Sequence, residues 1–107
     1  VPMLDARRME VYSAIFNNDL EKISETKAEI LSTESYAEIN EKIYFVGDCQ
    51  EKCQTVLTKN NFEFLPEIVY PSANEMSKIS YQKFENKQFE DVAYFEPFYL
   101  KDFLLTK

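Results

Sequence analysis

The segment IYFVG, residues 43–47, constrains the fold of this chain most strongly. An unbroken run of β-branched and aromatic residues is typical of a strand that is paired on both sides and covered on both faces. Gly47, the only glycine of the chain, closes the run, and Asp48 then opens a predicted helix. A buried strand that leads through a tight turn into a helix is a building unit of α/β proteins.

Two further strands are predicted before this segment. Residues 9–16 alternate between two sets of side chains, which is the period of a strand. Residues 17–19, Asn-Asn-Asp, predict a turn. Residues 20–31 then predict an edge strand whose charged residues, among them Glu25 and Glu29, face water.

Three helices are predicted. Ser35 and Glu38 stand at capping-box spacing, which predicts a short helix that ends near Lys42. The second helix begins at Asp48 and the third spans residues 72–86. Their apolar stripes, which we expect to be buried, are Cys49, Cys53, Val56 and Leu57 in the second helix and Ala73, Met76, Ile79 and Phe84 in the third.

With a short strand at residues 62–65, and with one further strand of the meander to which no residues are assigned, the predicted order is β-β-β-α-β-α-β-α. A three-strand meander followed by alternating helix and strand predicts an α/β fold with a mixed sheet and right-handed crossovers. The pattern is that of a ribonuclease-H-like unit, which is duplicated in the actin-like ATPase superfamily. At 107 residues the chain is expected to form a single domain, residues 1–107, although fold analogy alone gives no function.

The charge of the chain restricts its partners. With 12 basic and 19 acidic residues the net charge is −7, which disfavours tight direct binding to nucleic acid or to an anionic membrane. No apolar run approaches the roughly 18 residues of a membrane span, and no export signal is visible. A cytoplasmic location is therefore expected.

The residue types also restrict the chemistry. The chain has no histidine, which removes histidine-based triads and most zinc sites. Cys49 and Cys53 are the only cysteines, and their four-residue spacing on a helix favours core packing over redox or metal chemistry. We therefore predict no cofactor and no metal.

The acidic residues admit two interpretations. Asp5, Glu10 and Asp48 lie at or near the ends of predicted strands, as the acids of a two-metal nuclease would. Three acids are too few for such a site, so a turn-capping role for Asp5 and an N-cap role for Asp48 are favoured. Gly47 and Asp48 could form an anion-binding turn, but one glycine is fewer than a phosphate loop uses.

Asp5, Arg7 and Arg8 form a conspicuous group in this acidic chain. The arginines could clamp an anion with bidentate hydrogen bonds, or they could contact a protein partner. In a third interpretation Asp5 pairs with one arginine across a bend and the other is solvated. Adjacent residues of an extended chain point in opposite directions, so joint binding of one ligand is disfavoured and the ion pair is preferred.

The same stretch resembles the signature DARR-x-EVY-x-A of the TsaB (YeaZ) family, the glycoprotease-like subunits of bacterial tRNA threonylcarbamoyladenosine synthesis. Residues 5–14 carry this match, residues 45–48 resemble the family's FVGDG, and residues 96–101 resemble its P-x-YLR ending. Ala73, Met76 and Phe84 also stand where the family's last long helix has similar residues. The amino-acid sequence of the tail is most similar to that of the Bacteroidetes branch of the family.

This resemblance implies that the chain is the C-terminal one of two ribonuclease-H-like subdomains. It implies a non-catalytic scaffold that supports a TsaD-type catalytic paralogue and works with a TsaE-type ATPase through the full-length subunit, with a homodimer as a further assembly to test. No catalytic residue and no cofactor are implied for this chain. The candidate interface or signature residues are Asp5, Arg7, Arg8, Glu10, Tyr12, Gly47, Asp48, Pro97, Tyr99, Leu100 and Lys101.

The chain departs from the family pattern at two positions. Cys49 stands in place of the usual glycine, and Lys101 replaces the common arginine, which removes a planar bidentate donor. The rival interpretations are an actin-like ATPase or kinase half and a glycoprotease-like peptidase. The aromatic residues around Pro97, in residues 92–105, are expected to pack either on the sheet of this chain or on another subdomain.

Overall fold

The structure, a computed structural model, describes residues 1–100. The chain divides into two compact units, Val1–Tyr70 and Pro71–Lys107. Five strands and two helices are present in the described part: β1 (Pro2–Asp5), β2 (Glu10–Ser13), β3 (Lys27–Ile30), β4 (Ile43–Gly47), α1 (Gln50–Cys53), β5 (Phe62–Phe64) and α2 (Ala73–Glu85). Within residues 1–100 neither helix has the length and apolar character needed to cross a membrane.

The five strands form one mixed sheet in the order β3-β2-β1-β4-β5. β1, β2 and β3 are an antiparallel meander, whereas β4 pairs parallel with both β1 and β5. The predicted α/β class and mixed sheet are therefore confirmed. Within the described residues the first predicted helix is absent, and β1 precedes residues 9–16, the first strand assigned from the sequence.

The sheet has two faces of different character, because side chains alternate along each strand. We name the first the core face; it carries Met3, Val11, Ser13, Ile43, Phe45, Phe62 and Phe64. We name the second the open face; it carries Leu4, Tyr12, Ile30, Tyr44 and Val46. The cross-strand register fixes these sets, since residues that pair directly lie on the same face.

The hydrophobic core lies on the core face around Phe45, which is 0% exposed. Its ring stacks on Phe64 at a centroid distance of 5.1 Å and meets the edges of Phe62 and Tyr36 at 5.3 and 5.5 Å. Leu31, Cys49, Cys53 and Leu57 complete the buried cluster. Both α1 and the turns before β4 therefore pack against this one face.

The prediction that β4 is covered on both faces is wrong for the Val1–Tyr70 unit. Tyr44 is 47% exposed, although its neighbours Ile43 and Phe45 are buried. β4 is paired with strands on both sides, as predicted, but α1 covers only the core face. In this chain, a continuous apolar run thus indicates that a strand is paired on both sides. It does not indicate that both faces of the strand are covered.

The predicted helix that begins at Ser35 is replaced by successive turns. Three backbone hydrogen bonds of the i to i−3 type close them, the last from Ile39 N–H to the Tyr36 carbonyl at 3.2 Å. Tyr36 has a φ of 59°, in the left-handed region, which interrupts a right-handed helical path. The Ser35 hydroxyl accepts a hydrogen bond from Ser32 N–H instead of capping a helix.

β3 is an edge strand, as predicted, but it is shorter and faces the other way. Ile30 is 74% exposed, and Glu29 is half-buried. The cause is the register, which places Glu29 opposite Val11 on the core face and Ile30 opposite Glu10. The expectation that Glu29 faces water is therefore wrong.

α2 forms where the sequence predicts it, but its apolar stripe is exposed. Met76, Ile79 and Phe84 are all largely open to solvent, and α2 buries none of its residues. Among the described residues of this unit, Phe84 makes an edge contact with Phe89 at 5.9 Å. One helix offers no second layer against which its stripe could be buried. Of the predicted aromatic tail, Tyr94, Phe95, Phe98 and Tyr99 are exposed, and Phe103 lies outside the described residues.

Candidate functional site at the β1–β2 turn

The turn between β1 and β2 holds the first group of candidate residues. Ala6 N–H donates to the Glu10 carbonyl and Glu10 N–H donates to the Arg7 carbonyl, both at 3.0 Å. Arg7 and Arg8 have φ values of 75° and 49°. Two consecutive left-handed residues match the right-handed twist of a hairpin, although each costs roughly 1 kcal/mol for a residue other than glycine.

Asp5, at the end of β1, anchors this turn. Its carboxylate accepts a hydrogen bond from Arg7 N–H at 3.0 Å and forms an ion pair with Lys52 of α1. The hydrogen bond from Lys52 and then the one from Arg7 N–H hold the pKa of Asp5 below its ordinary value. Lys52 Nζ also donates to the Glu10 carbonyl at 3.0 Å, so one ammonium group joins α1 to both strands.

The expected ion pair between Asp5 and an arginine is wrong, since Lys52 occupies that position. Arg7 contributes its backbone N–H to the Asp5 carboxylate instead of its guanidinium group. Both arginine side chains are exposed, and neither forms a hydrogen bond or ion pair with residues 1–100. Their left-handed backbone directs two cations into solvent at the edge of an acidic chain.

Gly47 and Asp48 join the end of β4 to the same corner. Gly47 has a φ of 132°, and a Cβ atom there would lie 1.8 Å from the Met3 carbonyl oxygen. Glycine is therefore required by the close approach of β1 and β4. The Asp48 carboxylate accepts a hydrogen bond from Asp5 N–H at 3.0 Å, while Cys49 is the N-cap of α1. The predicted N-cap role of Asp48 is thus replaced by a contact that ties β1 to β4.

The carboxylates of this corner make contacts within the protein. Asp5 and Asp48 already accept hydrogen bonds from the protein, and Glu10 pairs with Ile30 on the open face, away from the face of Asp5. Within the described residues, no group of three or more histidine, cysteine, aspartate and glutamate side chains is placed to hold a metal ion. The geometry supports a structural clamp that leaves Arg7 and Arg8 available to a partner.

The remaining candidate residues lie elsewhere. Tyr12 of β2 pairs with Leu4 on the open face, the opposite face from Asp5. Pro97, Tyr99 and Leu100 belong to the Pro71–Lys107 unit, and Lys101 lies outside the described residues. Within the Val1–Tyr70 unit the structure therefore brings together the DARR and Gly47-Asp48 elements.

A second polar group, which the sequence did not reveal, lies beside β2. Tyr36 O–H donates to the Glu29 carboxylate, and its oxygen lies 3.2 Å from the Ser13 hydroxyl. Because the single tyrosine proton goes to Glu29, Ser13 donates to Tyr36. A cavity of about 70 Å³ adjoins these three residues. Burial raises the pKa of Tyr36, so it remains a neutral hydrogen-bond donor and cannot act as a general base for Ser13.

Two cysteines and a methionine form the third group. The Cys53 Sγ lies 3.7 Å from the Met3 Sδ and 3.7 Å from the Cys49 Sγ, and all three side chains are buried. Burial raises the pKa of Cys49 and raises that of Cys53 to about 12, so both are neutral thiols at pH 7. The cysteine spacing was visible in the sequence, but Met3 is brought to it only by the pairing of β1 with β4.

Comparison with known proteins adds no assignment. No protein-family model matches the chain, and a search of curated proteins gives no significant match. The features that bear on function are therefore the β1–β2 turn, the open face of the sheet, and the buried tyrosine and cysteine groups.

Proposed function

We propose that this chain is a non-catalytic interaction domain, the C-terminal ribonuclease-H-like half of a TsaB-type scaffold subunit in tRNA threonylcarbamoyladenosine synthesis. The observation that carries the proposal is the open face of the sheet, where Leu4 of β1, Ile30 of β3 and Tyr44 of β4 are exposed. Several exposed apolar side chains on one face of a sheet are a feature of protein interfaces.

The topology supports the ribonuclease-H-like part of this proposal. A meander of β3, β2 and β1 is followed by the parallel strands β4 and β5, with α1 between them. That is the pattern of such a unit, apart from the turns that replace one predicted helix. A parallel sheet of this class has helices on both faces, whereas α1 lies on only one face of this sheet.

The corner at the β1–β2 turn supports a scaffold rather than an enzyme. Asp5 and Asp48, the acids best placed for chemistry, are used to join β1, β4 and α1. Arg7 and Arg8 remain exposed and are suited to an acidic surface of a partner protein. The net charge of −7 fits a subunit that leaves the binding of tRNA to other subunits.

Binding to a TsaD-type paralogue by the full-length subunit tests this proposal. Ile30→Lys places a charge on the open face, and Ile23→Lys is its matched control, because Ile23 is also exposed (62%) but lies outside the five strands. We expect Ile30→Lys to weaken binding at least tenfold in isothermal titration calorimetry and Ile23→Lys to leave it unchanged. Equal affinities of the two variants would contradict a role for the open face.

Two further measurements separate the rival functions. Tight binding of tRNA by the isolated subunit at physiological salt would contradict the scaffold role. Heat on titration with ATP and magnesium, or cleavage in a panel of peptides, would favour the ATPase or the peptidase. We expect neither heat nor cleavage.

A further inference from the structure

Three sulfur atoms from distant parts of the sequence meet in the core. Met3 comes from β1, Cys49 is the N-cap of α1, and Cys53 is the last residue of α1. Cys53 Sγ lies at the centre of the group, 3.7 Å from each of the other two sulfur atoms. We name these residues the sulfur cluster.

The fold itself produces this arrangement. Met3 pairs in register with Gly47 at the end of β4, so the next residues of the chain begin α1 directly beside Met3. Cys49 and Cys53 are one helical turn apart and lie on the same side of α1. All three residues belong to the buried hydrophobic cluster, so water is excluded from the sulfur atoms.

The distances suit a shared metal ion. A metal–sulfur bond of about 2.3 Å places two sulfur ligands of a tetrahedral or trigonal site about 3.8 to 4.0 Å apart. The two distances of 3.7 Å from Cys53 Sγ are close to that spacing, and metal binding requires Met3 Sδ and Cys49 Sγ to take it up as well. A disulfide would need about 2.0 Å between the cysteine sulfurs, so the two thiols are free.

We propose that the sulfur cluster is a binding site for one soft monovalent metal ion, of which Cu(I) is the physiological example. Thiolate and thioether sulfur are the ligands that select Cu(I). On binding, Cu(I) forms bonds to the sulfurs of Cys49, Cys53 and Met3, both thiol S–H bonds break, and two protons pass to solvent. No electron is transferred, so no oxidant or reductant is required.

The ligand set also selects against the commoner metals. Structural zinc takes four ligands, chiefly cysteine and histidine, and this chain has two cysteines and no histidine. Within residues 1–100 no further cysteine or carboxylate joins these two cysteines in a group suited to a metal. Magnesium and calcium require oxygen ligands, which the sulfur cluster does not offer.

Competition for Cu(I) under anaerobic conditions tests the site. The 107-residue chain is titrated with Cu(I) in the presence of the coloured chelator bicinchoninate. We expect the wild type to withhold one equivalent of Cu(I) from the chelator, and Cys53→Ser to lose this capacity. Met3→Leu should bind at least tenfold more weakly, whereas Met76→Leu, which changes an exposed methionine of α2, should bind like the wild type.

The proposal is overturned if the wild type withholds no Cu(I), which is the result expected of sulfur atoms that only pack. Equal affinities of Met3→Leu and wild type would also overturn the three-sulfur site. X-ray absorption of the wild-type Cu(I) complex makes the test independent of variants that fail to fold. Three sulfur neighbours are expected, and two sulfurs, or nitrogen and oxygen neighbours, would contradict the proposal. None of these readouts involves TsaD-type or tRNA partners, so the outcome is separate from that of the proposed function.

Discussion

The two faces of one strand, β4, differ in exposure. Phe45 is fully buried among three aromatic rings, whereas Tyr44 beside it is half exposed. The same five strands therefore build the hydrophobic core on one side and present apolar side chains to solvent on the other. The difference teaches that stability should be concentrated on the core face and that substitutions on the open face should cost less.

The largest expected effect tests how closely the core side of the sheet is packed. Gly47→Ala places a Cβ atom 1.8 Å from the Met3 carbonyl oxygen and strains a residue with positive φ. Backbone strain and overpacking each cost about 1 to 3 kcal/mol, so we expect a loss of about 2 to 6 kcal/mol in the free energy of unfolding. Urea denaturation measures it. Val46→Ala, on the open face, is the control and should cost far less; equal losses would contradict the difference between the faces.

The second prediction compares the two faces directly. Phe45→Ala removes a fully buried ring and should cost about 3 to 5 kcal/mol, whereas Tyr44→Ala should stay below about 1 kcal/mol. Both free energies of unfolding can be obtained from urea denaturation monitored by circular dichroism. If Tyr44→Ala cost as much as Phe45→Ala, another layer would cover the open face.

The third prediction concerns the polar group that borders the core face. Tyr36→Phe keeps the ring beside Phe45 but removes the hydroxyl that joins Ser13 to Glu29, at an expected cost of about 1 to 2 kcal/mol. Burial raises the pKa of Tyr36 in the fold. The contribution of neutral Tyr36 to the free energy of unfolding is therefore complete below the ordinary tyrosine pKa of about 10. It is lost as the pH rises above that value.

Unfolding measured from pH 8 to 11 tests this dependence. The wild type should lose more stability than Tyr36→Phe over this range. Tyr81→Phe, in exposed α2, is the matched control and should follow the wild type. Parallel curves for wild type and Tyr36→Phe would show that the hydroxyl of Tyr36 makes no pH-dependent contribution.

The smallest expected effect lies at the solvent-exposed corner. The pKa of Asp5 is lowered, first by its hydrogen bond from Lys52 and then by that from Arg7 N–H. The contribution of the Asp5 carboxylate to the free energy of unfolding is therefore present above the ordinary aspartate pKa of about 3.9. It is lost as the pH falls through the lower pKa that Asp5 has in the folded protein. Asp5→Asn should flatten the loss of stability below about pH 4, whereas Asp19→Asn in the loop after β2 should not. Identical acid profiles of the three proteins would rule out this role of Asp5.

The parts of the fold that could be predicted are those that the local sequence determines. The α/β class, the pairing of β4 on both sides, and α2 followed from periodicity and from the position of Gly47. The helix after Ser35 was wrongly predicted because a capping pattern does not reveal the left-handed Tyr36 that breaks it. The orientation of β3 was wrong because register with Val11, rather than charge, decided that Glu29 faces the core side.

The candidate site was predictable only in part for a related reason. The sequence identified Asp5, Arg7 and Arg8 as a group, but it paired Asp5 with a neighbour along the chain. Lys52, the actual partner, is brought to Asp5 by the pairing of β1 with β4. Contacts of this kind require the sheet topology, which residue spacing alone does not provide.

The position of β1 in the sheet has a consequence for folding kinetics. β1 pairs with β2 through a short turn. Its other edge pairs with β4, which is distant in the sequence. Asp5 and Asp48, which are joined by a hydrogen bond between these two elements, are 43 residues apart. Local pairing forms faster than pairing that closes a long loop, so we expect the β1–β2–β3 meander to form before β4 docks. Until then IYFVG is an exposed, strand-forming segment with one glycine and no charge. Slow docking of β4 is therefore the step at which this chain is most exposed to aggregation.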